Sequence, residues 1–128
     1  MITAGIDMGA KNIKVLLLED GRKIRARAQE LGGTDTRGAT EKAFNAALFQ
    51  AGLKMADVKH ITSTGAGRAN APYAQDNVTE VGAAARGAVF VHPATRTVID
   101  IGAEEGKTLH CDAAGRVIDF AVNEKCAA

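Results

Sequence analysis

Hydrophobic and polar positions in the first part of the chain predict three consecutive strands. Apolar, largely β-branched residues are dense over residues 3–18, and the break at Gly9-Ala10-Lys11-Asn12 divides them into two buried strands. Residues 23–30 then alternate apolar and polar side chains, which is the period of a strand with one face in water. The chain is therefore predicted to begin with a buried hairpin and a third, half-buried strand.

The same pattern returns near the other end. A strongly apolar strand is predicted over residues 97–101, and a hairpin over residues 107–111 and 116–122 turns at Asp112-Ala113-Ala114-Gly115, an order that suits a type I turn. In both copies the first strand ends in Asp-x-Gly, as Gly5-Ile6-Asp7-Met8-Gly9 and as Ile99-Asp100-Ile101-Gly102. We interpret this as a repeated hairpin unit, which bears on the fold before any single motif does.

Between the two copies the pattern changes to a helical period. A first helix is predicted over residues 36–51, ending at Gly52. A second helix follows Asn77 and Glu80, which have the spacing of a capping box, and it ends before Pro93. Three strands, a helix, a strand, a helix and three further strands indicate an α/β fold.

A glycine-rich turn follows the strand predicted over residues 58–63. Its sequence is Thr64-Gly65-Ala66-Gly67-Arg68, and the backbone N–H groups of such a turn can approach an anion. Most glycine-rich loops are only turns, so both interpretations stay open for this segment.

Composition and charge narrow the class of protein. The 128 residues are 46% hydrophobic and 24% charged, as in an ordinary globular protein with room for about one domain. The net charge of +1 gives no general electrostatic attraction to nucleic acid or to an anionic membrane. Without a signal-peptide pattern or an apolar run of about 18 residues, we expect a cytoplasmic protein.

The candidate chemistry lies in the two Asp-x-Gly turns. An Asp at the end of a buried strand, beside a glycine-bounded turn, can hold Mg²⁺ through water while backbone N–H groups reach phosphate oxygens. Asp7 and Asp100 both have this position, and Lys11 or Lys14 can add positive charge. Either turn alone is more simply an ordinary hairpin, and Lys14 is equally well a solvated strand residue. The repetition of the whole unit favours two phosphate-binding turns that face each other.

The two cysteines have different surroundings in the sequence. Neither belongs to a CxxC motif or a Cys/His cluster, which argues against a disulfide framework and a self-contained zinc site. Cys111 lies inside a predicted strand and is expected to pack there. Cys126 lies where a further helix is expected to start, a position that favours a thiolate able to bind metal, although an inert thiol is the simpler alternative.

Four motifs together resemble a known family. The two Asp-x-Gly segments, Thr64-Gly65-Ala66-Gly67-Arg68 and Asn123-Glu124-Lys125-Cys126-Ala127-Ala128 occur in the order and spacing of the ATPase family of benzoyl-CoA reductase subunits and 2-hydroxyacyl-CoA dehydratase activators. The resemblance implies a ribonuclease H-like fold of the actin, hexokinase and Hsp70 superfamily. At Ala103-Glu104-Glu105 many members carry a further glycine and a Gln-Asp pair, so this chain looks closer to the benzoyl-CoA reductase branch.

The resemblance also implies a function and its residues. Members are ATP-driven electron donors, in which a homodimer or pseudo-dimer carries one [4Fe-4S] cluster and passes an electron to an acyl-CoA reductase or dehydratase. Asp7 and Asp100 are then the catalytic, Mg²⁺-binding residues, and Cys126 is a cluster ligand. The remaining nucleotide-binding residues are expected in and beside the two turns: Gly9, Ala10, Lys11, Lys14, Gly102 and Ala103.

Family members continue beyond the motif that contains Cys126, with Gly-Thr-Gly, a second cysteine and an adenosine-binding segment. We therefore expect a fragment, with an N-terminal ribonuclease H-like subdomain over residues 1–95 and the first hairpins of a second over residues 96–128. Two other functions stay open at this point. They are a non-catalytic ribonuclease H-like interaction module and a fragment of a sugar or acyl kinase.

Overall fold

A computed structural model describes residues 1–102 and 105–124. The predicted site residues Ala103 and Cys126, and the helix expected to start at Cys126, lie outside the described residues. The strands are β1 (Ile2–Met8), β2 (Asn12–Glu19), β3 (Lys23–Leu31), β4 (Val58–Thr64), β5 (Asp76–Asn77), β6 (Thr97–Ile101), β7 (Glu105–Cys111) and β8 (Val117–Glu124), and the α-helices are α1 (Thr36–Ala51) and α2 (Glu80–Val91). Among these residues no helix is long and apolar enough to cross a membrane.

The first compact unit, Met1–Val78, is built on a mixed sheet in the order β3-β2-β1-β4-β5. The strands β1, β2 and β3 are antiparallel neighbours, whereas β4 pairs parallel with β1 and β5 pairs parallel with β4. The short strand β5 was not predicted from the sequence, because two residues are too few to show a period.

One face of this sheet is the core of the first unit. Alternation along β1 and β2 places Ile6, Ile13 and Leu17 on that face, where each is almost fully buried. The helix α1 covers them with Phe44, whose ring meets the ring of Tyr73 edge to face at 5.6 Å between centroids. The opposite face of β1 and β2 therefore carries Asp7 and Lys14 together with Leu16.

The bounds of α1 confirm the prediction for residues 36–51. The carboxylate of Asp35 caps its start by accepting a hydrogen bond of 2.9 Å from the Gly38 N–H. Gly52 ends it in the left-handed conformation with φ 68°, which glycine adopts without steric cost.

The second compact unit, Thr79–Ala128, combines α2 with an antiparallel sheet in the order β6-β7-β8. Ala85 of α2 packs against Leu109 and Cys111, and all three are buried, as expected for Cys111. The contacts thus group α2 with the small sheet in one compact unit. The reason is that the small side chains of α2 fit closely against β7.

The predicted cap of α2 is wrong. The N-cap is Thr79, whose hydroxyl oxygen accepts a hydrogen bond of 3.1 Å from the Gly82 N–H. Asn77 instead belongs to β5, the edge strand of the large sheet. The helix ends at Val91, before Pro93, as predicted.

The structure confirms the repeated unit at the level of strand register. Strands β1-β2-β3 and β6-β7-β8 have the same antiparallel order, and in each the third strand carries one extra residue. This bulge is at Arg25 in β3, between the partners of Leu17 and Leu18, and at Ile118 in β8, between the partners of His110 and Cys111. The two bulges occupy equivalent positions in the two copies.

Candidate functional site

Both Asp-x-Gly turns close with the same hydrogen bond. The Gly9 N–H donates to the Asn12 carbonyl oxygen at 3.1 Å, and the Gly102 N–H donates to the Glu105 carbonyl oxygen at 2.8 Å. The donor and acceptor are three residues apart in both copies, so the two turns have one construction.

Each turn also places a lysine opposite its aspartate. In the register of β1 and β2, Asp7 faces Lys14, and in the register of β6 and β7, Asp100 faces Lys107. Directly opposed residues of antiparallel strands point to the same face of the sheet. The repeat therefore extends from the turns to a carboxylate and an ammonium group on one sheet face.

Asp7 lies at the carboxyl end of β1, beside the parallel strand β4. Its side chain is half-buried and lies near two glycines. A Cβ atom built on Gly65 would lie 2.7 Å from the Asp7 carboxylate oxygen Oδ1, and one built on Gly9 would lie 4.0 Å from it. The carboxylate thus lies against the turn after β4 and within reach of its own hairpin turn.

A cavity of about 530 Å³ opens on the same face of the large sheet. Asp7, Lys14 and Thr64 line it together with Arg27, over a mainly apolar floor that includes Leu16. Because two cations and one carboxylate border the cavity, its polar rim carries a net positive charge at neutral pH. Such a rim suits a ligand with negative charge.

The lysine of the second copy is already neutralised by two carboxylates. The Lys107 ammonium lies 3.3 Å from Glu80 and 3.1 Å from Glu105, and its side chain is only 12% exposed. Burial lowers the pKa of Lys107, but the hydrogen bonds that its ammonium donates to Glu105 and Glu80 outweigh this effect and hold the pKa above 10.5. Glu80, expected to cap α2, instead joins the helix to β7.

The predicted site residues fall into two groups, one in each unit. Asp7, Gly9 and Lys14 come together in the first unit, and the exposed residues Ala10 and Lys11 complete that hairpin turn. In the second unit Asp100 and Gly102 come together at the end of β6, and both are exposed.

The donor sets suit a hydrated magnesium ion better than a protein-enclosed metal. Among residues 1–102 and 105–124, no group of three His, Cys, Asp or Glu side chains converges on one point. Mg²⁺ keeps several waters and usually binds through one or two carboxylates and the phosphates of its substrate. One carboxylate beside each turn, as at Asp7 and Asp100, fits this chemistry.

Sequence reasoning missed the contact between Gly65 and Asp7. The segment from Thr64 to Arg68 was interpreted as a glycine-rich turn that could approach an anion and as one of the family motifs, without a contact to the first Asp-x-Gly. The signal that could have found it is the parallel pairing of β1 with β4, which places Asp7 opposite Thr64. In parallel sheets, ligands bind outside the carboxyl ends of the strands.

The chain is similar to known proteins in both sequence and fold. The chain is 37% identical to the activator of lactoyl-CoA dehydratase from Anaerotignum propionicum, over 100% of this chain and 49% of the relative. Two solved structures are similar over the whole chain. Component A of (R)-2-hydroxyglutaryl-CoA dehydratase from Acidaminococcus fermentans has a TM-score of 0.91 and 34% identity, and the chain covers 49% of it. The activator of 2-hydroxyisocaproyl-CoA dehydratase from Clostridium difficile, solved with bound ADPNP, has a TM-score of 0.87 and 36% identity, with 47% covered.

The chain spans about half the length of the curated relatives that it matches and corresponds to their N-terminal portion. The fold expected from the sequence is confirmed: the large sheet with its helix is an actin-like, ribonuclease H-like α/β domain, accompanied by a small three-stranded sheet. Residues 4–128 match the BadF/BadG/BcrA/BcrD ATPase family, and the chain belongs to that family.

Proposed function

We propose that this protein binds and hydrolyses ATP in order to drive a low-potential electron into an acyl-CoA dehydratase or reductase. The observation that carries the proposal is the repeated turn, in which an aspartate, a glycine and an opposed lysine occur twice in the same register. The family membership supports the ATPase, and the ADPNP bound to the Clostridium difficile relative supports the nucleotide.

In this proposal each turn is a binding site for phosphate and Mg²⁺. Asp7 and Asp100 hold the ion through water, and the backbone N–H groups around Gly9, Ala10, Gly102 and Ala103 bind phosphate oxygens. Lys11 and Lys14 add positive charge beside the first turn. Lys107 is not assigned to phosphate, since Glu80 and Glu105 already neutralise it.

Cys126 is proposed as a ligand of a [4Fe-4S] cluster, which supplies the low-potential electron when it is bound. Such a cluster is usually held by four thiolates. A single cysteine from this segment therefore requires others, which we assign to a second cysteine beyond residue 128 and to a homologous ATPase subunit in a homodimer or pseudo-dimer. The acyl-CoA dehydratase or reductase is the electron acceptor, and the cytoplasm is the proposed compartment.

The proposed division of the molecule follows from the repeat. Residues 1–95 form the N-terminal ATPase subdomain, and residues 96–128 form the first hairpins of a second subdomain. Because the relatives are about twice as long, we propose that the 128 residues bind ATP weakly and scarcely hydrolyse it.

Anaerobic reconstitution of the full-length protein with iron and sulfide tests the proposal. We expect the broad absorbance of an iron–sulfur cluster in the wild type and its loss in Cys126→Ala. The matched control is Cys111→Ala, which removes a buried thiol from the small sheet and should leave the absorbance unchanged. A cluster that persists in Cys126→Ala would contradict the assignment, and its absence from the wild type would favour a kinase or a passive module.

A further inference from the structure

We infer that the turn from Thr64 to Arg68 positions the Asp7 carboxylate for Mg²⁺, with Gly65 as the positioning residue. The inference rests on the proposed function and concerns the first of its two turns. It starts from the sheet, where β4 runs parallel to β1 and Thr64 lies opposite Asp7. The Asp-x-Gly turn and the turn after β4 therefore emerge side by side at one edge of the sheet.

The contact between the two turns is too close for any side chain at position 65. Gly65 has φ 95°, and a Cβ atom there would lie 2.5 Å from the Met8 carbonyl oxygen as well as 2.7 Å from Asp7 Oδ1. Gly67 strengthens the contact, since its N–H donates to the Met8 carbonyl oxygen at 3.1 Å. The backbone of this turn thus packs directly against both the main chain and the carboxylate of the first Asp-x-Gly.

A small network of hydrogen bonds fixes the position of this turn. The Arg68 guanidinium donates through Nη1 to the Gly65 carbonyl oxygen at 3.1 Å, and the Arg68 N–H donates to the same oxygen at 3.2 Å. The hydroxyl of Ser63, which is 1% exposed, donates to the Arg68 carbonyl oxygen at 2.8 Å. Because buried polar groups are costly to leave unpaired, this network resists a shift of the turn.

A fixed position of this turn matters because Mg²⁺ requires nearly ideal octahedral geometry. A carboxylate that is held against backbone can present its oxygens to the ion's water shell without first losing side-chain freedom. Asp100 has a different environment, since β6 is an edge strand in the described part of the second unit. Gly65 therefore acts on one of the two aspartates.

The test measures the Mg²⁺ concentration at which the full-length protein reaches half-maximal ATP binding, and the corresponding concentration for ATP hydrolysis. Gly65→Ala should raise this concentration about tenfold or more, the usual effect of disturbing a group that orients a metal ligand. Gly21→Ala is the matched control, because Gly21 also has a positive φ of 69° but nothing lies within 4 Å of its added Cβ. It also places alanine at a positive φ and should leave the Mg²⁺ dependence unchanged.

Two further variants separate positioning from simple loss of folding. Arg68→Leu removes the guanidinium hydrogen bond to the Gly65 carbonyl oxygen, and it should raise the Mg²⁺ requirement in the same direction. In an Asp7→Asn background, where the Mg²⁺ dependence of ATP binding is measured instead of hydrolysis, Gly65→Ala should cause no further rise, since both changes act through one carboxylate. Equal Mg²⁺ dependence in Gly65→Ala and Gly21→Ala would overturn the inference alone. A wild type that hydrolyses no ATP would overturn the proposed function and the inference together.

Discussion

Alanine substitutions at the two turn glycines test whether the repeated turns tolerate a side chain. A Cβ atom at Gly9 would lie 2.9 Å from the Asn12 carbonyl oxygen, and one at Gly102 would lie 3.1 Å from the Glu105 carbonyl oxygen. The shortest common carbon–oxygen contacts are about 3.3 Å, so the shortfall is about 0.4 Å at Gly9 and about 0.2 Å at Gly102. The same carbonyl groups accept the glycine N–H bonds, so each turn must distort its own closing hydrogen bond to relieve the contact.

The expected cost follows from these distances. Overpacking typically costs about 1–3 kcal/mol. We place Gly9→Ala near the upper end of this range and Gly102→Ala near the lower end, because the contact at Gly9 is closer. Gly5→Ala, in the strand β1 that precedes the first turn, is the control, since nothing lies within 4 Å of its added Cβ. Alanine is favoured over glycine inside a strand by about 0.5–1 kcal/mol, so this variant should be neutral or slightly more stable.

Equilibrium urea unfolding of the 128-residue chain is followed by hydrogen exchange in peptides of each sheet. This experiment measures the free energy of unfolding of the two units separately. Gly9→Ala should destabilise the first unit and Gly102→Ala the second. If Gly9→Ala were as stable as the wild type, or if Gly102→Ala cost more than Gly9→Ala, the description of the turns would be refuted.

Three other predictions concern the ion pairs and the small core. Lys107→Met should destabilise the second unit by about 1 kcal/mol because it leaves Glu80 and Glu105 close together without a cation. Since the pKa of Lys107 is raised, its contribution to the stability of the fold is complete below pH 10.5 and disappears as the pH rises through the raised value. A series of urea titrations of the wild type and Lys107→Met at different pH values detects this change. Hydrogen bonds from Thr62 and His60 lower the pKa of Asp76 below 3.8, so the pairing of β5 should weaken as the pH falls through that lowered value, and exchange rates in Asp76→Asn should lack this dependence. Leu109→Ala should cost about 2–5 kcal/mol in thermal or urea unfolding, whereas Phe49→Ala, at a side chain 89% exposed, should change stability by less than about 0.5 kcal/mol.

The parts of the fold that follow from local chemistry could be predicted. The first helix begins after a capping carboxylate and ends at Gly52, and both signals are readable in the sequence. The repeated hairpin also followed from its alternation and from the two Asp-x-Gly segments. The bulges at Arg25 and Ile118 could not be predicted, because one extra residue in a strand changes the register without leaving a compositional mark.

The remaining features depend on contacts between segments that are distant in the sequence. The cap of α2 was assigned to Asn77, because the spacing to Glu80 was recognised without knowing that Asn77 pairs with Ser63 in a parallel strand. Glu80 was expected to serve the helix, yet it pairs with Lys107 on β7. At the candidate site, the aspartates and glycines were found from their motifs, whereas the contact of Gly65 with Asp7 needed the pairing of β1 and β4.

The most direct test of the account is phosphate release from Mg²⁺-ATP by the full-length protein carrying Asp7→Asn or Asp100→Asn. Each change keeps the shape of the side chain and removes the charge that the account assigns to Mg²⁺. Asp119→Asn, at an exposed position of β8, is the control. We predict that both turn variants lose most of the activity while the control retains it. Wild-type rates in either Asp7→Asn or Asp100→Asn would contradict the claim that the aspartates of both turns serve ATP hydrolysis.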